Sequence, residues 1–211
     1  MACAGCLVPL TAPARPAWPR PSPAGLPPPY AVAVYDGSTR DFLLAYKERG
    51  VVGLRRSLGR ALGAAVVAAL PDAEPVWVVP VPSRRVARRQ RGDDVVAGLA
   101  RHASLLARRQ GRHVQLLPAL RHLRAVADSA GLDARQRARN LSGAFGLRRG
   151  AGDLVRGTAV IVVDDLITTG ATAVECAAAL RGAGARVLAV ATVAATARRA
   201  DRSGRGLHNG D

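Results

Sequence analysis

Residues 160–172 of the chain, VIVVDDLITTGAT, carry acidic and hydroxyl side chains in an order that could bind a sugar phosphate. Four apolar residues, rich in β-branched side chains, predict a buried strand, and Asp164 and Asp165 follow it directly. A turn of threonines around Gly170 comes next and leads into an alanine-rich helical pattern at residues 173–180. The segment therefore predicts a strand, an acidic pair, a small polar loop and the start of a helix.

The loop has the composition of a phosphate site. Unpaired N–H groups and a partial positive charge at the start of a helix attract a phosphate, and Gly170 lets the backbone approach it closely. The adjacent carboxylates would repel that phosphate, and they need donors or a cation, which vicinal sugar hydroxyls or a divalent metal ion supply. The plain structural alternative is a polar turn whose Asp or Thr only caps the next helix. The combination of both features favours a sugar phosphate.

These residues resemble the phosphoribosyl pyrophosphate signature of type I phosphoribosyltransferases. The resemblance implies that Asp164 and Asp165 hold the ribose 2- and 3-hydroxyls as catalytic residues and bind Mg²⁺ indirectly, through the substrate. The residues that it implies for the cradle of the 5-phosphate are Ile167, Thr168, Thr169, Gly170, Ala171 and Thr172. The sequence disfavours a P-loop nucleoside triphosphatase, because no G-x-x-x-x-G-K-[ST] motif occurs and Lys47 is the only lysine.

A second anion site is predicted after another strand. Residues 76–79 have the pattern of a buried strand, and they lead through two prolines into Ser83, Arg84 and Arg85, with further arginines up to position 91. Open α/β sheets bind ligands at the carboxyl ends of their strands. A solvated basic face or a nucleic-acid patch is the alternative for such a charge run. The resemblance implies that Ser83 binds pyrophosphate and that Arg84 and Arg85 stabilise it as the leaving group.

A third part of the site is predicted at residues 120–140, which are polar and arginine-rich. Segments this long between regular elements are usually functional, and a mobile lid would exclude water from the reaction. A surface helix with loose ends is an equally open alternative.

Alternating strand and helix patterns surround these segments. They predict an α/β fold with a largely parallel central sheet flanked by helices, and the resemblance identifies it with the type I phosphoribosyltransferase fold. We expect one phosphoribosyltransferase domain at residues 30–197 and a basic, flexible tail at 198–211. The other predicted elements are strands at 31–35, 114–117, 140–147 and 187–193, and helices at 40–49, 54–70 and 93–111.

Residues 1–29 contain nine prolines and are predicted to form an extended or disordered arm. The arm begins with Cys3 and Cys6 in a C-x-x-C, which is half of a zinc knuckle. A structural zinc ion needs four ligands and no second pair follows, so we do not expect zinc to bind. The third cysteine, Cys176, falls in the helix after the phosphate loop and is predicted to be core.

The chain is strongly basic, with 31 basic against 15 acidic residues and a net charge of +16. Polyanions are therefore expected partners, and either a pyrophosphate-bearing substrate or a nucleic acid satisfies the charge. The sequence shows no signal-peptide pattern and no apolar run long enough for a membrane span, so we expect a cytoplasmic protein.

Three further segments resemble the ComF family of competence-associated, phosphoribosyltransferase-like proteins. They are residues 35–50, 79–92 and 124–145. That family usually opens with a four-cysteine zinc finger, of which only Cys3 and Cys6 remain here. A second departure follows Gly92, where Asp93, Asp94 and Val95 replace the usual Phe-Asn-Gln.

Two functions follow as hypotheses. The first is an enzyme that binds phosphoribosyl pyrophosphate with Mg²⁺ and transfers the phosphoribosyl group to a nitrogen nucleophile. The second is a non-catalytic sensor of phosphoribosyl pyrophosphate or a nucleotide, which contacts single-stranded DNA during DNA uptake. The lack of aromatic residues around positions 84–91 disfavours a single-strand groove there. A homodimer is compatible with both hypotheses.

Overall fold

The computed structural model describes residues 4–71, 74–83, 94–125 and 134–197. Eight strands lie in these ranges, and they are β1 Arg15–Pro16, β2 Pro29–Val34, β3 Val76–Pro80, β4 Val114–Leu116, β5 Leu120–His122, β6 Phe145–Leu147, β7 Ala159–Ile167 and β8 Arg186–Ala195. The α-helices described there are α1 Ala4–Leu7, α2 Gly37–Lys47, α3 Arg55–Ala69, α4 Val95–Arg109, α5 Ala134–Leu141, α6 Ala151–Val155 and α7 Ala171–Gly182. Short 3₁₀ turns lie at Val8–Thr11 and Val52–Leu54.

Six strands form the main sheet, in the order β1-β2-β8-β7-β3-β4. All neighbours in it are parallel except β1, which pairs antiparallel with β2. The predicted α/β fold with a largely parallel sheet is confirmed. Strands β5 and β6 form a separate antiparallel pair.

The main sheet separates two hydrophobic cores because side chains alternate along each strand. Ile161 and Val163 of β7 pack with α3 and α4 on one face. Val160 and Val162 pack with α7 on the other face, together with Cys176, which is fully buried as predicted. The central strand is therefore apolar on both faces, as expected for a parallel sheet covered by helices.

The prediction of an extended or disordered arm needs correction for residues 4–29. Its strand β1 belongs to the main sheet, its Leu10 is buried in the first core, and its Leu26 is buried in the second. Prolines keep much of this segment out of helices, but they do not prevent it from packing along the domain. The first three residues, including Cys3, lie outside the described ranges.

Two other predictions change in detail. The helix predicted from position 93 begins at Val95, because Asp94 is its N-cap and accepts a hydrogen bond from the amide of Ala97 at 3.2 Å. The predicted lid at residues 120–140 contains β5 and most of α5, and its residues 126–133 lie outside the described ranges. Within those ranges, no helix is long and apolar enough to cross a membrane.

Candidate sugar-phosphate site

The acidic pair lies within β7, beyond the point where one of its neighbours stops. Pairing of β7 with β3 ends at Pro80 and Val163, whereas pairing with β8 continues to Ile167. The strand was predicted to end at Val163, but only one side of its hydrogen-bond ladder ends there. This leaves Asp164 and Asp165 at a step in the carboxyl edge of the sheet, where ligands of such folds bind.

The two carboxylates face opposite sides of the sheet. Asp165 lies on the side of α2 and α3, is 3% exposed, and forms an ion pair with Lys47, whose Nζ is 2.9 Å from Oδ2. Asp164 lies on the side of α7 and accepts a hydrogen bond at its Oδ1 from the backbone N–H of Asp165 at 2.8 Å. Each carboxylate therefore has its own set of neighbours.

These surroundings shift three pKa values. Burial, followed by the charge of Asp165, raises the pKa of Asp164 well above its usual range. The charge of Asp165 raises the pKa of Lys47, so this amine stays protonated. Burial raises the pKa of the Cys176 thiol, which keeps it neutral and agrees with its place in the core.

The loop after β7 turns into α7 through a left-handed residue. Gly170 has φ 78° and ψ −2°, a conformation that favours glycine, and it precedes the first turn of α7 without a side-chain cap. The hydroxyl of Thr169 accepts a 3.4 Å hydrogen bond from the amide of Ala171. A cleft beside the loop is lined by residues 166–173 together with Asp164 and Thr192. The helix start presents backbone N–H groups to this cleft side of the loop, and such groups are the donors that bind phosphate at helix N-termini.

The N-terminal segment forms a wall against this loop. A Cβ placed on Gly170 would lie 3.0 Å from Leu26 Cδ2 and 3.3 Å from Pro23 Cγ. The same segment is held to α7 by Arg181, whose Nη1 donates to the carbonyl of Gly25 at 2.8 Å. The predicted arm is therefore part of the immediate surroundings of the loop.

Ser83 and Asp94 join the two ends of the arginine-rich segment. The Ser83 hydroxyl donates to Asp94 Oδ1 at 2.7 Å, and its backbone N–H donates to Oδ2 at 3.3 Å. Ser83 follows β3 at the same edge as the acidic pair, since the amide of Val81 still donates to Val163 at 2.9 Å. Arg84 and Arg85 lie in residues 84–93, outside the described ranges.

The antiparallel pair of β5 and β6 lies next to this edge. The ring Nε2 of His122 is 2.9 Å from the carbonyl oxygen of Pro82, and the ring contacts Phe145. Arg124 donates to the carbonyls of Asn140 and Ser142 at 3.0 and 2.8 Å, so it ties together the two sides of the segment at 126–139. The carboxylate of Glu175 accepts from the amide of Gly143 at 2.9 Å, which ties the turn before β6 to α7.

The structure thus brings Asp164 to the cleft beside the predicted phosphate loop, with Ser83 on the adjacent strand end. Asp165 is next to Asp164 in the strand but lies on the opposite face, against Lys47. Sequence reasoning missed Lys47, Asp94 and the wall formed by Leu26. Lys47 had one signal, since it is the single lysine among 31 lysine and arginine residues. Asp94 also had a signal as a helix cap, because Asp is common directly before a helix. Its bond to Ser83 and the position of Leu26 had none, because they depend on contacts made by the fold.

The residues described here contain no group of three or more His, Cys, Asp or Glu side chains placed to hold one metal ion. The acidic pair fits Mg²⁺ that takes most of its oxygen ligands from substrate and water, which is the common mode for this ion. Cys6 is exposed, and its predicted partner Cys3 lies outside the described ranges.

A larger cavity of about 540 Å³ lies at the opposite end of the sheet. It is lined by the amino ends of β3 and β4 and includes Trp77, Arg112 and His113. None of the predicted site residues borders it. The predicted chemistry therefore belongs to the carboxyl edge.

Comparisons with known proteins identify the family of this chain. Residues 83–207 match the family model described as phosphoribosyl transferase domain. Nine solved chains also match, among them one described as the structure of the allosteric regulatory enzyme of purine biosynthesis, with 22% identity and a TM-score of 0.38. That match covers 64% of this chain and 25% of the enzyme's chain. No curated protein matches. With more than half of its length matched by the family model, the chain belongs to the phosphoribosyl transferase domain family.

Proposed function

We propose that this protein binds phosphoribosyl pyrophosphate together with Mg²⁺ and transfers the phosphoribosyl group to a nitrogen nucleophile. One observation carries the proposal: two carboxylates at an open step of the sheet edge adjoin a left-handed Gly170 loop at the start of a helix. The first feature suits vicinal hydroxyls and the second suits a phosphate monoester. A ribose 5-phosphate unit presents both groups on one small molecule.

Each part of the site has a role in this proposal. Asp164 and Asp165 accept hydrogen bonds from the ribose hydroxyls, while the backbone amides of residues 168–172 and the hydroxyls among them hold the 5-phosphate. The two carboxylates also stabilise the positive charge that develops on the sugar ring as pyrophosphate leaves. Mg²⁺, when bound with the substrate, neutralises the pyrophosphate oxygens. Because pyrophosphate is a good leaving group, positioning and charge neutralisation suffice without a covalent nucleophile.

The segment after β3 is assigned to the leaving group. Ser83 stands at its start, and Arg84 and Arg85 follow, so guanidinium donors are available beside the pyrophosphate. The hydrogen bonds from Ser83 to Asp94 support this role, because they hold the first residue of the segment at the sheet edge.

We also propose that the chain belongs to the ComF group within this family. Support comes from the sequences of residues 35–50, 79–92 and 124–145. The described parts of these segments include Lys47, which pairs with Asp165, Ser83 at the end of β3, and Arg124 beside β5. The departure at Asp94 has a structural reason here, since this carboxylate caps α4 and binds Ser83. A role in DNA uptake is proposed with this assignment.

The decisive experiment measures ligand binding and turnover separately. Phosphoribosyl pyrophosphate with Mg²⁺ should stabilise the protein against thermal unfolding, by about 2.7 kcal/mol at a hundred times its dissociation constant. Asp164→Asn and Asp165→Asn should lose this stabilisation, whereas Asp153→Asn, a change in α6 away from the site, should keep it. Pyrophosphate release with a panel of purine, pyrimidine and amine acceptors then identifies the nucleophile.

These measurements distinguish an enzyme from a non-catalytic sensor. Wild-type protein that is not stabilised by phosphoribosyl pyrophosphate would contradict the proposal. Stabilisation without pyrophosphate release from any acceptor would instead support the sensor.

One observation favours the second candidate, a protein that binds single-stranded DNA. Four arginines of α3 and α4 lower the pKa of His102 through their charges, and they are Arg55, Arg56, Arg60 and Arg109. Arg56, Arg60 and Arg109 are exposed, so these helices carry a basic face. Such a face suits phosphate contacts. Retention on a single-stranded oligonucleotide that falls steeply with salt, and that is lost in Arg56→Gln/Arg60→Gln, would support this candidate.

A further inference from the structure

The ion pair between Lys47 and Asp165 places a cation at the mouth of the proposed site. Nζ of Lys47 is 2.9 Å from Oδ2 and 3.2 Å from Oδ1 of the same carboxylate. The side chain of Asp165 is 5% exposed and that of Lys47 is 50% exposed. The carboxylate is thus only narrowly accessible, whereas half of the lysine side chain is exposed.

Lys47 is held there by the packing of its helix. It is the last residue of α2, and Leu43, Ala45 and Tyr46 just before it are buried. The hydroxyl of Tyr46 donates to the carbonyl of Val95 at 3.4 Å and accepts from Nε of Arg55 at 3.2 Å. The end of α2 is therefore fixed against α3 and α4, and a cation at a helix C-terminus is favourable in itself.

The simplest explanation of Lys47 is that it neutralises the buried carboxylate of Asp165. A guanidinium would serve that purpose at least as well, because its planar fork matches a carboxylate, and lysine is otherwise absent from the chain. An ammonium differs in having three N–H donors around one point charge. Two donors suffice for the two oxygens of Asp165, and the third is available at the exposed side for a ligand.

The stereochemistry of phosphoribosyl pyrophosphate places its pyrophosphate group on the same side of the ribose ring as the hydroxyls that Asp165 would bind. A ribose hydroxyl bound to Asp165 would lie about 2.7 Å from a carboxylate oxygen, which brings the sugar within about 5 Å of Nζ. In phosphoribosyl pyrophosphate the C1 substituent is on the same face of the ring as the 2- and 3-hydroxyls. A cation seated beside the carboxylate that holds those hydroxyls therefore lies next to the pyrophosphate oxygens.

We propose that Lys47 is a ligand-binding residue of the sugar-phosphate site, whose ammonium remains on Asp165 and donates to the pyrophosphate group of the bound substrate. This inference rests on the proposed function. It also extends the site to α2, which precedes the segment matched by the family model, residues 83–207.

The test compares two ligands that differ only at C1, phosphoribosyl pyrophosphate and ribose 5-phosphate, each with Mg²⁺. Lys47→Met should weaken binding of phosphoribosyl pyrophosphate roughly ten-fold or more, because a charge-assisted hydrogen bond is lost. It should change binding of ribose 5-phosphate about three-fold or less. The matched control is Arg40→Met, which removes one positive charge from the same helix at an exposed position and should change neither affinity.

The single lysine allows a second measurement on the wild-type protein, which is independent of any variant's folding. Acylation of Lys47 by an amine reagent at fixed pH, followed by mass spectrometry of the α2 peptide, should slow when phosphoribosyl pyrophosphate binds, and much less with ribose 5-phosphate.

Two results would overturn the inference while leaving the proposed function intact. One is an equal loss of affinity for both ligands in Lys47→Met, which would make Lys47 only a support for Asp165. The other is faster acylation in the presence of phosphoribosyl pyrophosphate, which would show that the ligand displaces the ammonium. If wild-type protein binds neither ligand, the proposed function itself fails.

Discussion

A methyl carbon of Leu26 lies 3.0 Å from the position that a Cβ would occupy on Gly170. The side chains of Leu26 and Pro23 therefore pack directly against the phosphate loop. Two features favour glycine at position 170. One is its φ of 78°, and the other is the small space that Leu26 and Pro23 leave for a side chain.

Gly170→Ala should destabilise the protein more than backbone strain alone predicts. A left-handed alanine costs about 1–2 kcal/mol, and the small shift that Leu26 and Pro23 must make should add roughly 1 kcal/mol. Gly150→Ala is a matched control, because Gly150 also precedes a helix at φ 78° but a Cβ there meets nothing within 4 Å. Urea unfolding of both variants measures the difference, and equal losses would contradict the proposed wall.

Variants that remove the hydrogen bond between Ser83 and Asp94 should separate the stability of α4 from the binding of pyrophosphate. Asp94→Ala should cost about 0.5–2 kcal/mol of unfolding free energy, since α4 loses its N-cap. Ser83→Ala should cost about 0.5–1.5 kcal/mol for its hydrogen bond.

A double-mutant cycle should show that these two losses are not additive, because both changes remove one interaction. Pyrophosphate affinity measured on the same variants distinguishes the role of the serine. If Ser83 itself contacts pyrophosphate, Ser83→Ala should weaken binding more than Asp94→Ala. Additive unfolding free energies would contradict the coupling.

Gly59→Ala should destabilise the pairing of α3 with α4. A Cβ at this position would lie 2.7–2.9 Å from atoms of His102, including its Cβ, which cannot rotate away. We expect a loss of roughly 1–3 kcal/mol, although alanine is otherwise the better helix former. Gly182→Ala in α7, where a Cβ meets nothing within 4 Å, should be neutral or slightly stabilising. Thermal unfolding of the two variants tests this, and an unchanged midpoint for Gly59→Ala would be inconsistent with the packing.

Stability should fall in mild acid because of His102. Burial, followed by the charges of Arg56, Arg60, Arg109 and Arg55, lowers the pKa of this histidine below 6.5, and its Nε2 has no hydrogen-bond partner among the described residues. Below pH 6.5 the unfolded chain takes up a proton that the folded protein resists, so the free energy of unfolding decreases as the pH falls through 6.5.

Unfolding midpoints at pH 7.5, 6.5 and 5.5 measure this dependence, with His102→Gln as the variant that cannot titrate there. The variant should lose less stability than the wild type between pH 6.5 and 5.5. Parallel curves would assign the acid sensitivity to other groups.

The part of the site that lies within one segment was predictable from the sequence. Asp164, Asp165 and Gly170 are neighbours in the chain, and their chemistry follows from their order along a strand, loop and helix. The ion pair of Asp165 with Lys47 joins residues 118 positions apart, so no local pattern could reveal it. The same holds for Leu26, whose many neighbouring prolines indicated an appendage, although an extended segment can also pack against a domain.

The edge strands of the main sheet, β1 and β4, limit how copies of this protein could associate. On one edge, β1 is two residues long and its Pro16 has no backbone N–H, so only Arg15 could donate to an added strand. On the other, β4 is three residues long. Neither edge offers a strand long enough to template another, which protects the sheet from edge-to-edge aggregation. Assembly through addition of a strand to the described main sheet is therefore disfavoured.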